Sequence, residues 1–215
     1  MALLKGGQSM PATDEKTVIT AEQYRVLQRP VELPTPQQVF DYEVETLVAK
    51  GLMTHDAADP FRKDLPVGLF LLVPAQPAEL DLNYLMNLVG YKGKNGVNYL
   101  AVEHLTSVVD APKVAHLMLD VEDGATRLNV RPSESRANIR HEGRSPYDVW
   151  RGIVHAVVFP EVLDHHYLDL VGSRCGEVGV PRLCLDEGRL TLCSNLGDFA
   201  DPRWGTPSCG SVRVS

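Results

Sequence analysis

Two arginines held between small residues stand out in the last third of the chain. Arg144 lies in Gly143-Arg144-Ser145-Pro146, and Arg174 lies in Gly172-Ser173-Arg174-Cys175. Small neighbours let the backbone bend until a guanidinium reaches a ligand. The guanidinium offers carboxylate or phosphate a rigid two-pronged donor set. Arg144, Arg174 and the hydroxyl of Ser173 are therefore candidate substrate-binding groups. The plainer use of Arg144 is to pack by its stem and cap carbonyls, or to pair with Glu142.

His165-His166 is the only paired histidine. On a strand the two rings point to opposite faces, so one at most enters a pocket. A histidine titrates near neutrality and a neighbouring carboxylate tunes it. His165 or His166 with Asp169 is thus a candidate acid–base pair. His116 and Asp120, four apart on a predicted strand, form a weaker pair of the same kind, and His155 fits a core position.

The four cysteines, at 175, 184, 193 and 209, are separated by 9, 9 and 16 positions, which matches none of the tight zinc knuckles. Cys184 and Cys193 fall on opposed strands of one predicted hairpin, diagonal on a shared face, where they suit packing as small apolar groups. Cys175 and Cys209 sit among glycine and serine and are candidate nucleophiles, activated by Arg174 or a helix end. No strong base accompanies them in the sequence, and no metal or cofactor is expected.

The elements that must position these groups follow from pattern. Residues 1–18 read as a flexible leader and 19–65 as a mainly helical segment. Within it, 20–33 suggests a short helix. Thr35 then caps a helix that has Pro36 at its first position, an apolar stripe of Val39, Phe40, Val44, Leu47 and Val48, and Gly51 past its end. A short helical stretch starts at Thr54. Residues 67–73 are apolar between prolines, as a buried strand would be. Residues 80–89 have helical spacing, 92–96 form a turn, and 97–109 run as strand then helix. Asp123-Gly124 predicts a hairpin between 114–121 and 126–130. Helices are expected at 133–141 and from a Ser145 cap with Pro146 behind it. Strands are expected at 167–171, 180–185 and 190–193, and loop after Asn195. Hairpins interspersed with helices predict an α+β fold with a mainly antiparallel sheet over 66–215.

Several of these segments together resemble a known family. Leu128-Asn129-Val130-Arg131-Pro132, Gly143-Arg144-Ser145-Pro146, Gly172-Ser173-Arg174, Val180-Pro181 and Ser208-Cys209 are similar, in this order, to an uncharacterised bacterial domain-of-unknown-function family found largely in actinobacteria. The resemblance spans roughly 67–209. It implies that this stretch folds as a unit, and it carries no activity.

Bulk composition narrows the function classes. The 215 residues hold 21 Lys+Arg against 28 Asp+Glu, a net charge of −7, and 44% are hydrophobic. An acidic chain with no basic run is a poor partner for nucleic acid or an anionic membrane. The start carries an apolar run of three residues, well below the roughly 7–15 of a signal-peptide core. No run approaches the ~20 apolar residues of a bilayer span, so a cytoplasmic location is expected. The nucleotide, dinucleotide, zinc-protease and serine-hydrolase motifs GxxxxGK[ST], GxGxxG, HExxH and GxSxG are missing. Two readings remain. One is a small cofactor-independent enzyme, a cyclase, isomerase, lyase or hydrolase of bacterial specialised metabolism, with arginines holding an anionic small molecule while histidine and aspartate move a proton. The other is a non-catalytic module that binds a small molecule or a protein. Either could act as a homo-oligomer. The concentration of polar candidates beside apolar strands tilts the expectation toward the enzyme.

Overall fold

A computed structural model describes residues 33–215. The leader and the short helix expected before residue 33 lie outside it. Helix α1 (Pro36–Ala49) starts as its sequence dictates. The Thr35 side chain accepts from the Gln38 amide while the Gln38 side chain accepts from Thr35 N–H, so the cap is reciprocal. Its apolar stripe buries Phe40, Val44 and Leu47. A one-turn helix α2 (His55–Ala58) is capped by Thr54, and a 3-10 turn (Asp59–Phe61) follows it.

The core is centred on α5 (Val149–Val158), all of whose residues are buried. It is covered on every side, with Arg151 and His155 taken inside along with its apolar residues. The helix packs against α1, against α3 (Leu82–Leu88), and against one strand from each of two sheets, β1 (Phe70–Val73) and β10 (Gly179–Asp186). Asp148 caps α5, its carboxylate accepting from Arg151 N–H at 2.9 Å. The Asp148→Ala variant is expected to lose about 1 kcal/mol in chemical denaturation, the usual worth of such a cap. The expected cap, Ser145, lies instead in a strand, β7 (Ser145–Pro146). Proline has no N–H to give to a ladder, and β7 is an edge where none is needed.

The first sheet runs β1–β6–β13–β7, antiparallel throughout, with β6 spanning His116–Glu122 and β13 spanning Ser208–Val214. It corrects two expectations. Residues 126–130 do not return as a hairpin, because β1 and β13 already occupy both edges of β6. Beyond Gly124 the chain instead makes a 3-10 turn (Ala125–Arg127), held by the Glu122 carboxylate, which accepts from Gly124 and Thr126 N–H. The tail after Asn195 is likewise not all loop, since β13 is an interior strand of this sheet.

The second sheet has the order β12–β8–β10–β11–β4, with β9 (Ser173–Cys175) joining β10 to β5 (Leu105–Ser107). Here β8 is Tyr167–Asp169, β11 is Arg189–Leu196, β12 is Trp204–Gly205 and β4 is Val97–Asn98. The β10–β11 hairpin closes at Asp186↔Arg189 through Glu187 and Gly188, both at positive φ, the two-residue turn that fits strand twist. A smaller hairpin, β2 (Gly90–Tyr91) with β3 (Lys94–Asn95), turns at Lys92-Gly93, three residues ahead of the Asn95-Gly96 dipeptide. Residues 97–109 hold two short strands and a 3-10 turn (Val102–His104) where a helix was expected. With antiparallel pairing dominant in the sheets and helices against both, the fold is α+β.

Candidate functional site

Helix α4 (Pro132–His141) sets out the first group. Arg136 and Arg140, four apart, project from one side of it. Gly143 at φ +69° ends the helix, and Arg144 follows. The three arginines line a depression of about 270 Å³ with Asp110 at its wall. Arg136 also lines a neighbouring depression of about 160 Å³ with Arg174, Glu177 and Asp198. Arg136 is anchored, its Nε donating to the Val171 carbonyl at 2.7 Å and its Nη2 to Ser173 O at 3.5 Å. Burial, and then the positive charges of Arg174 and Arg140, make its cation easier to lose than usual. Among the described residues none of Arg136, Arg140 and Arg174 has a carboxylate partner. Like charges this close are unfavourable to the fold, and an anion seated between them would relieve the repulsion.

The sequence candidates are distributed differently from what their spacing suggested. Arg144 serves the architecture. It donates to the Asp120 carboxylate, to Asp120 O at 2.6 Å and to Ser208 Oγ at 2.9 Å, tying β7 to β6 and β13. Glu142, its expected partner, pairs with Arg127 instead. Asp120 has φ +51°, which breaks strand alternation, so its exposed carboxylate and the buried His116 do not act as one face. His116 Nδ1 donates to Val114 O at 2.9 Å. His165 closes a one-turn helix, α6 (Val162–His165), and is exposed. His166 is buried, its Nε2 donating to Asp123 O at 3.0 Å. Among the described residues neither histidine bonds to Asp169 or Asp120. Ser173 Oγ accepts from Val149 N–H at 3.1 Å, a second tie at the start of α5. Cys209 is fully buried, and burial pushes its thiol up. Cys175 is half-buried in β9.

A second group forms on the outer face of the β8–β10–β11 sheet. Register places Asp169 opposite Arg182, and Arg182 opposite Cys193. Arg182 Nε donates to Cys193 Sγ at 3.2 Å, and its guanidinium stacks on the Trp204 ring at 4.1 Å. Cys184 Sγ is 3.8 Å from Cys193 Sγ. Asp169 is 1% exposed, and burial raises its carboxyl to about 7 against the pull of Arg182. Both its oxygens, Arg182 Nη1 and Trp204 Nε1 have no hydrogen-bond partner among the described residues.

The largest depression among those described, about 680 Å³, carries Glu79, Asp81 and Glu103 with Asn83 and Asn98. Its asparagines are engaged, Asn98 Nδ2 donating to Asn83 Oδ1 at 3.0 Å and to Leu100 O at 2.8 Å. Three carboxylates make it unsuited to an anion. Among the described residues no three His, Cys, Asp or Glu side chains are grouped to hold a metal, and no helix is long and apolar enough to cross a membrane.

Fold and groove together define an α+β protein with unpaired guanidinium groups beside its helix α4. The chain belongs to a family of unknown function (DUF5701), whose model matches residues 33–192. No curated protein and no solved structure matches it.

Proposed function

We propose that the protein is a non-catalytic binding module for a small anion, with Arg136, Arg140 and Arg174 receiving its phosphate or carboxylate groups. The observation that carries this reading is the gathering of three guanidinium groups that, among the described residues, form no ion pair with the carboxylates lining the same depressions. A binding rather than an enzymatic role is favoured because the groove has no histidine or free carboxylate bonded to a neighbouring base. Arg136 is the fixed element, held by two backbone carbonyls. The side chains of Arg140 and Arg174 make no hydrogen bond to another described residue, so their donors are available to a ligand. Charge-assisted hydrogen bonds are worth about 1.5–3 kcal/mol each.

Calorimetric titration with inorganic phosphate and with succinate tests the reading. One of the two is expected to bind, more weakly as salt rises. Arg140→Gln and Arg174→Gln are each expected to weaken it by roughly tenfold or more, with thermal stability in the absence of ligand undiminished or slightly raised by the relief of like-charge repulsion. Binding that survives both substitutions, or no binding of either anion to the wild-type chain, would overturn the assignment.

A further inference from the structure

The face carrying Cys193 lies outside the arginine groove, and its chemistry is different. We propose that Cys193 and Cys184 form a peroxide-responsive dithiol, with Cys193 the attacking sulfur and Cys184 the resolving one. Cys193 faces Arg182 and Cys184 faces Thr191, so the two thiols are diagonal neighbours on one side, with 3.8 Å between sulfurs. Cys193 is half-buried, open enough for a small peroxide.

Arg182 supplies the electrostatics. Its Nε–H already points at Cys193 Sγ, and the Trp204 ring covers the guanidinium and fixes its plane. The adjacent Asp169 carboxyl, buried and held up to about 7, does not take a hydrogen bond from Arg182. The guanidinium therefore gives its Nε hydrogen bond to the sulfur, while its charge is shared with Asp169 and with Asp201 just before β12. The groups facing Cys193 are Cys184, Arg182 and Asp186 from β10, with Asp169 across Arg182 on β8. The hydrogen bond from Cys184 and then Arg182 outweigh burial and Asp186, so the Cys193 thiol sits below the ordinary range. Cys184 correspondingly keeps its proton.

In the first step the Cys193 thiolate attacks one oxygen of a hydroperoxide. A sulfur–oxygen bond forms, the O–O bond breaks, and the leaving alkoxide or hydroxide takes a proton from solvent. Sulfur is oxidised by two electrons and the peroxide is reduced. In the second step Cys184 sulfur attacks the sulfenic sulfur. The S–S bond forms, the S–O bond breaks, and the departing oxygen leaves as water with the Cys184 proton. Diagonal positions on a hairpin lie about 7–8 Å apart, beyond the ~4.4–6.8 Å of relaxed disulfides, so closing the bridge requires the two strands to draw together. The bridge is therefore strained and easily reduced, as befits a reversible mark rather than a staple.

The test uses the reduced full-length chain and one equivalent of hydrogen peroxide. Peptide mapping is expected to find a Cys184–Cys193 bridge that dithiothreitol removes. In Cys184→Ser the reaction is expected to stop at a sulfenic acid on Cys193, trapped by dimedone, which keeps the order of attack visible if the bridge itself forms poorly. Arg182→Gln is expected to slow alkylation of Cys193 at pH 7 by roughly tenfold and to move its pH midpoint up toward the ordinary thiol value of about 8.5. Oxidation that falls first on Cys175, or a Cys193 alkylation rate unchanged by Arg182→Gln, would overturn the proposal. These readouts are independent of anion binding in the groove.

Discussion

Between pH 4.5 and pH 8, the stability of the Glu43→Gln variant relative to wild type is expected to move in the variant's favour by a few kcal/mol. Glu43 projects from α1 into the core and is fully buried. One carboxyl oxygen accepts from Leu72 N–H at 2.8 Å, satisfying a donor on the outer edge of β1, and the other has no partner among the described residues. Burial raises the acid to about 8, and the Leu72 amide only partly offsets it. An unfolded chain ionises the same group near 4.3. Between those values the native state holds a proton that the unfolded state has released, so stability falls as pH rises, by about 1.4 kcal/mol per unit. A glutamine keeps the acceptor for Leu72 and has no proton to lose. Asp169 acts in the same direction, being raised to about 7.

The histidines act with the opposite sign. Burial lowers His155 to about 4 and also lowers His116. An unfolded histidine takes up a proton near 6.5, so their contribution is lost as pH falls from there toward the folded values. Below about pH 6.5 the two effects oppose each other. Above it the buried acids lower stability as pH rises while Cys193, whose thiol sits below the ordinary range, acts in the opposite direction, so the fall toward pH 8 is expected in wild type relative to Glu43→Gln. Urea unfolding at pH 5, 6.5 and 8 checks both statements. A wild type as stable at pH 8 as at pH 6.5, with Glu43→Gln running parallel to it, would mean that Glu43 is ionised in the folded protein.

Where local chemistry decides an element, the sequence is readable. Thr35, Pro36 and the stripe through Leu47 specify α1, because cap, first turn and buried face agree. The turn at Glu187-Gly188 fixes the β10–β11 register, and with it the shared face of Cys184 and Cys193. Long-range pairing decides the rest. Cys209-Gly210-Ser211 has little strand propensity, and β13 forms because β6 offers it an edge across most of the domain. Asp123-Gly124 carries a strong hairpin signal that fails for the same reason. At the candidate sites, Arg174 and Arg144 were legible as cations between small residues. Their uses were not, since Asp120 reaches Arg144 only through sheet pairing. Arg136 and Arg140 look in sequence like an ordinary solvated helix face; the Arg-x-x-x-Arg spacing was the one available signal. Arg182 and Trp204 acquire meaning only when β8, β10 and β12 lie side by side.

The same dependence on distant backbone makes the Gly124–Gly205 crossing the most sensitive point of the fold. At the end of β6 the chain turns through Gly124 at φ +103°, and there its backbone lies directly on that of β12. A Cβ on Gly124 would sit 2.8 Å from both Gly205 C and Thr206 N, and one on Gly205 would overlap the Gly124 carbonyl. Neither obstacle is a flexible side chain, so neither can yield without moving a sheet. The first sheet meets the second here, because β6 belongs to one and β12 to the other. Overpacking typically costs about 1–3 kcal/mol, and a non-glycine residue in the left-handed region adds about 1–2. Gly124→Ala is therefore expected to lose about 3 kcal/mol or more, and Gly205→Ala, free of the φ penalty, somewhat less. Because one separation between the two backbones would relieve both clashes, the double variant should lose less than the sum of the singles. Additive losses in urea denaturation would show that each glycine is required for its own backbone conformation and not for the contact between them.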